Sequence, residues 1–205
     1  AAPGEEPASV DFAGSALELT IRDSEGQNPR DFIKIDLGRR IEVTEGSGTI
    51  TLIHPFRTVT LLAAQGPDVA VGPARSLEVH TYTRDGTLRR IVRGPEQDLR
   101  ITDSVRSEYA TADLTGWPSE ERRLLGLVGT PMPESFPAYT ALLTDLEGNI
   151  WAQRFSASGP DSGRWGVFAT DGRFLGHVRL PRGLEPYEIS SEYVLGKATD
   201  SLGVE

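Results

Sequence analysis

The sequence predicts an all-β chain: a β-propeller of four-stranded antiparallel blades whose ring is incomplete, interrupted by a short helical insertion. Three observations predict it. Short runs with period-two alternation recur between turn signals, and one hairpin is repeated without gaps at an offset of 86 residues, Asp85 falling on Asp171. A single stretch of helical character then divides one complete four-strand unit from the next.

Taken in order, residues 16–21, 32–37 and, after Gly38, 40–43 alternate apolar and polar side chains and read as three strands of one sheet. Residues 59–64, 68–71, 77–83 and 87–92 make a complete meander. Its last two strands are joined by Arg84-Asp85-Gly86, an Asp-Gly turn whose glycine supplies a positive φ. A second meander follows at 141–144, 150–155, 164–169 and 174–180, with Glu147-Gly148-Asn149 and Asp171-Gly172 at its turns. Residues 185–189 and 193–197 begin a further unit. The blades are thus expected near 12–46, 56–93, 139–180 and 184–205.

The repeat is the sharpest signal. Tyr82, Asp85, Gly86, Leu88, Val92 and Arg93 fall on Phe168, Asp171, Gly172, Phe174, Val178 and Arg179, so an aromatic, an Asp-Gly turn, an apolar residue and Val-Arg recur in one order. An ordinary meander also closes hairpins with Asp-Gly, but a whole supersecondary unit recurring at tens of residues marks propellers and solenoids.

Residues 94–138 differ. Thr102-Asp103-Ser104 offers cap side chains for a helix over 105–114, which Thr115-Gly116 breaks. Ser119, with Glu120 and Glu121 at the positive end of a helix dipole, starts a second helix that 122–125 carry on to Gly126 and Gly129. Pro131, Pro133 and Pro137 then impose an extended return to Tyr139.

Composition narrows the function classes. The 205 residues, 38% of them apolar, suffice for a buried core, and 22 Gly with 14 Pro demand many turns. No cysteine is present, which removes thiol chemistry, disulfides and cysteine zinc sites. A net charge of −9 repels nucleic-acid phosphates and anionic lipid, so neither nucleic acid nor membrane insertion is expected. Residues 1–10 are polar and acidic and lack the start of a signal segment; the natural N-terminus is expected to lie upstream.

No cofactor and no catalytic or metal-ligating set emerges. His54, His80 and His177 are the only histidines and none stands at a metal-binding spacing. Asp85 and Asp171 sit in turns, where their side chains bond nearby amides. No nucleophile elbow, P-loop or dinucleotide fingerprint occurs, and Gly46-Ser47-Gly48 reads as a turn. Three aromatics are candidates for a binding surface: Trp117, between Gly116 and Pro118 on the insertion; Tyr139, at its end; and Trp165, within a strand. For Trp151 and Trp165, packing between neighbouring blades is the default role.

The run Ala141-Leu142-Leu143-Thr144-Asp145-Leu146-Glu147-Gly148-Asn149-Ile150-Trp151, followed by Arg164-Trp165-Gly166-Val167-Phe168, Asp171-Gly172, Leu180-Pro181 and Tyr193-Val194-Leu195-Gly196, resembles the six-bladed β-propeller family of bacterial exported proteins, which is similar to NHL-type propellers. Thr102-Asp103 and Glu120-Glu121-Arg122-Arg123 resemble that family's helical insertion. The resemblance implies a scaffold, a periplasmic or extracellular location, blades missing before Phe12 and a last blade cut short. It supplies no agreed catalytic residue. The expected function is a non-catalytic binding or scaffold propeller whose partner is a protein, peptide or glycan. The alternative is a metal-dependent lactonase-like hydrolase or lyase, with a metal in the central channel held by ligands from several blades. Inner strands 59–64 and 141–144 offer mainly apolar residues and Thr, so such a site would fall to the missing blades.

Overall fold

A computed structural model describes residues 9–22, 25–45, 48–52, 56–66, 68–110, 133–156, 163–181 and 183–198. Four open antiparallel sheets follow one another along the chain. Sheet 1 holds β1 (Ser9–Ile21), β2 (Arg30–Glu45) and β3 (Gly48–Leu52); sheet 2 holds β4 (Leu61–Gln65), β5 (Asp68–Gly72), β6 (Glu78–Thr83) and β7 (Leu88–Arg93). After α1 (Asp103–Ala110), sheet 3 holds β8 (Tyr139–Thr144), β9 (Ile150–Arg154), β10 (Arg164–Phe168) and β11 (Phe174–Arg179), and sheet 4 holds β12 (Leu184–Ile189) and β13 (Val194–Ala198). Sheets 2 and 3 are the two complete meanders expected from the sequence. Among the described residues no helix is long and apolar enough to cross a membrane.

The repeat is realised in register. Glu78 pairs with Arg93 and Tyr82 with Leu88, with an irregularity between Thr81 and Tyr82; 86 residues on, Arg164 pairs with Arg179 and Phe168 with Phe174, with the same irregularity between Val167 and Phe168. One turn produces both. The Gly86 amide donates to the Thr83 carbonyl and the Thr83 amide to the Thr87 carbonyl, each at 3.0 Å; Gly172, Ala169 and Arg173 repeat the pattern. The glycines stand at φ +87° and +93°, the left-handed conformation that closes a three-residue hairpin as a type I turn with a bulge. The β8–β9 hairpin uses it a third time, at Asp145, Gly148 and Asn149.

Sheet 1 departs from the expected pattern. Residues 32–37 and 40–43 form one strand, β2, because Gly38 at φ +82° bends the chain without ending the pairing. The third strand is β3, a partner for the far half of β2 that was not read from the sequence. In the insertion, α1 starts two residues before the expected helix. The Thr102 hydroxyl accepts the Val105 amide at 3.4 Å as its cap. The second expected helix lies outside the described residues. Both ends of the insertion are clamped together by the Arg100–Ser135 bridge and by the amides of Ile101 and Phe136, which donate to Glu134 and Leu99.

Sheets 2 and 3 share one core. Ala70, Leu77, Val79 and Val92 from the first meet Leu142, Ile150, Ala152 and Phe168 from the second. β10 is buried along four successive residues, Trp165 to Phe168, as befits a strand covered on both faces, whereas the outer strands β7 and β11 carry Arg89, Arg93 and Arg179 at exposed positions. Tyr139, fully buried, crosses the junction: its hydroxyl donates to the Glu78 carbonyl at 2.8 Å and accepts the Ala74 amide at 3.2 Å. The Ala138 amide donates to the Ala74 carbonyl beside it at 2.8 Å. Gly72 leaves the space the ring needs, since a Cβ there would overlap the phenol oxygen and stand 2.8 Å from Cζ.

These contacts set a thermodynamic cycle. Tyr139→Phe strands a buried amide and a part-buried carbonyl and is expected to cost about 1–3 kcal/mol. Gly72→Ala should destabilise by driving the ring out of place. Because the phenylalanine variant removes the oxygen that the new methyl strikes hardest, leaving only the lesser overlap with the ring, the double variant should be less unstable than the sum of the two single changes. Additive urea-unfolding free energies would contradict the packing described.

Candidate functional site

Two clefts flank sheet 3, and Asp145 lies between them. The first, about 350 Å³, separates the facing surfaces of sheets 2 and 3 at the end where the hairpin turns lie. Its wall on sheet 2 is the cross-strand row Ala70, Thr81, Arg90. Across from it stand Thr144, Gly148, Ile150 and Thr170 of sheet 3.

The carboxylates around this cleft are engaged. Asp68 receives Arg89 Nη1 on both oxygens, at 2.7 and 3.0 Å. Asp145, 3% exposed, accepts the Asn149 amide at 2.7 Å and, on its other oxygen, Asn149 Nδ2 and the Trp151 indole N–H, each at 2.9 Å. Glu147 occupies the turn position that Asp85 and Asp171 hold in the other two hairpins. Those aspartates accept the amides of Thr87 and Arg173 within their own turns, as their Asp-Gly setting implies. Glu147 instead reaches sheet 4, where its Oε1 accepts the Ser191 amide at 2.9 Å, beside the Leu146 amide donating to the Ile189 carbonyl.

The second cleft, about 310 Å³, lies between sheet 3 and the β12–β13 hairpin, with Trp151, Val167, Leu175, His177 and Ser190 on its walls. Burial pushes the His177 imidazole below its ordinary value, and the guanidinium groups of Arg164 and Arg154 push it further the same way. A third polar group sits away from both clefts. Glu78 accepts His80 Nε2 at 2.7 Å and Arg93 Nε at 2.5 Å, and its carboxyl is held below 4.5, chiefly by the histidine bond and against the desolvation that opposes it.

The three aromatic candidates fall in different places. Tyr139 is fully buried, its hydroxyl spent on the backbone of sheet 2. Trp165 is 1% exposed inside β10, and its indole N–H meets no acceptor among the described residues. Trp117 lies outside the described residues, as does His54. The structure does not bring Tyr139 and Trp165 to an open surface. His80 and His177 lie on different sheets, and among the described residues no three His, Asp or Glu side chains converge as metal ligands would. The cleft residues Thr81, Arg90, Thr144 and Asp145 were not singled out in the sequence. The first three become neighbours only through the stacking of two sheets; for Asp145 the one local signal is an acid three residues before a Gly-Asn turn and six before a tryptophan.

The Glu78 arrangement has a pH consequence. A carboxyl held lower in the folded than in the unfolded chain contributes stability that is complete above the unfolded value and is lost as the pH falls through the folded one. Glu78→Gln should therefore flatten the loss of urea resistance below about pH 4.5. An acid limb identical to that of the parent protein would show that Glu78 carries none of it. No family model, no curated protein and no solved structure matches this chain.

Proposed function

We propose that this chain is part of a six-bladed, NHL-like β-propeller, exported to the periplasm or cell exterior, that works as a non-catalytic scaffold for a protein, peptide or glycan partner. The relation between consecutive sheets carries the reading. In a propeller the first strand of every blade lies nearest the axis, so first strands of neighbouring blades approach one another. β4 and β8, the first strands of sheets 2 and 3, lie side by side.

Each junction also carries a backbone bond. The Thr60 amide, just before β4, donates to Asp36 of sheet 1 at 2.7 Å, the Ala138 amide, just before β8, to Ala74 of sheet 2, and Leu146 to Ile189 of sheet 4. Rigid stacked sheets with their turns gathered at one end present those turns as a fixed surface, which is what a binding scaffold requires.

Electron microscopy of the full-length protein tests the architecture. Sheets radiating about one axis, with β4 and β8 on a central channel, are expected; sheets stacked along a line would replace the ring with a solenoid. The chemistry is tested separately. After dialysis the protein should retain no stoichiometric zinc or calcium and turn over no ester or lactone. Turnover of an ester or lactone that depends on a retained metal would instead make it a propeller enzyme.

A further inference from the structure

The first cleft holds three buried polar hydrogens that no described residue receives. Among the described residues, Thr81 Oγ1, Thr144 Oγ1 and Arg90 Nε are buried and have no hydrogen-bond partner. All three residues line the same cavity. Thr81, 4% exposed, and Arg90 are direct cross-strand partners on sheet 2, and Thr144 faces them from the end of β8.

The stem of Arg90 lies against the opposite turn: a Cβ on Gly172 would meet Arg90 Cδ at 3.0 Å. The stem thereby holds the buried Nε between the sheets. Buried donors left without acceptors are costly, more so when one is a cation. The neighbouring acids bond elsewhere: Asp68 to Arg89, Asp145 to Asn149 and Trp151, Glu147 to Ser191, and Asp171, which feels the charge of Arg90, to Arg173.

We propose that the cleft between sheets 2 and 3 binds a small oxyanion, a carboxylate or a phosphate, on the Thr81 and Thr144 hydroxyls and the Arg90 guanidinium. A planar or tetrahedral oxyanion presents several acceptor oxygens to convergent donors, and its charge matches the guanidinium. The cavity of about 350 Å³ has room for a small molecule that carries such a group. The site needs only the packing of sheets 2 and 3, so it stands whether or not the four sheets belong to a ring.

The test is thermal unfolding of the intact chain in acetate, phosphate, neutral acetamide and chloride at matched ionic strength. Parallel titrations follow the backbone amide resonances of Thr81 and Thr144. Acetate or phosphate should raise the melting temperature saturably and shift those resonances, while acetamide and chloride should not; which anion binds tighter identifies the source. The Thr81→Val, Thr144→Val variant separates this site from a structural role. Replacing unpartnered hydroxyls by methyls should leave the ligand-free protein as stable as before or more so, yet weaken the anion about tenfold or more. Arg90→Gln should weaken it as well. If neither anion gives a saturable shift, if acetamide binds equally, or if the valine variant binds as the parent does, the cleft holds water only and the proposal is overturned.

Discussion

The molecule depends on one buried phenol. Tyr139 opens the first strand of sheet 3, yet its hydroxyl serves the backbone of sheet 2, where the chain turns from β5 into β6. Beside it the Ala138 amide donates to the Ala74 carbonyl, while the faces themselves pack side chain against side chain. A hydroxyl that both donates and accepts fixes the angle and the height of one sheet on the other. Burial pushes its ionisation well above the ordinary tyrosine value, so the phenol stays protonated and donating. Everything that follows from that placement, the shared core around Phe168 and Val79 and the cleft above them, inherits its geometry from this contact.

A second constraint is the hairpin turn used three times. In two copies the aspartate at the third turn position closes on its own turn, through the Thr87 and Arg173 amides. In the third copy a glutamate stands there, one methylene longer, and reaches the next sheet. The same local geometry thus serves as an internal clasp or as a junction, according to one side chain's length. Asp145 supports that junction from within, because its carboxylate is held by the turn amide and the Trp151 indole. The aromatic group of Phe56, Phe136 and Phe155, with centroids 4.9–5.7 Å apart, brings the approach to β4, the return of the insertion and the end of β9 to one place.

Local features were legible in the sequence. The hairpins at Gly86 and Gly172 were, because a left-handed glycine after aspartate is a property of four or five consecutive residues. The two complete meanders followed from alternation between such turns. What failed was also physical. Gly38 reads as a strand end but acts as a bend within β2, since a glycine at positive φ serves a turn and a bulge equally. β3 was missed because a short strand beside Gly46-Ser47-Gly48 carries little pattern of its own. The cleft was out of reach: that Thr81 and Arg90 face Thr144 depends on strand register and on which face of sheet 2 meets sheet 3. Tyr139 was noticed as an aromatic at the end of the insertion, but its role belongs to residues 61 and 65 positions earlier in the chain.

If Tyr139 and the shared core make sheets 2 and 3 one cooperative body, they must open together. Native-state hydrogen exchange measures this directly. The slowest amides of β5 and β6, Val71 and Val79, should exchange with the same opening free energy as Leu142 and Ala152 of β8 and β9, and Tyr139→Phe should lower all four by one amount. Two distinct opening energies, or a Tyr139→Phe effect confined to sheet 3, would contradict the account.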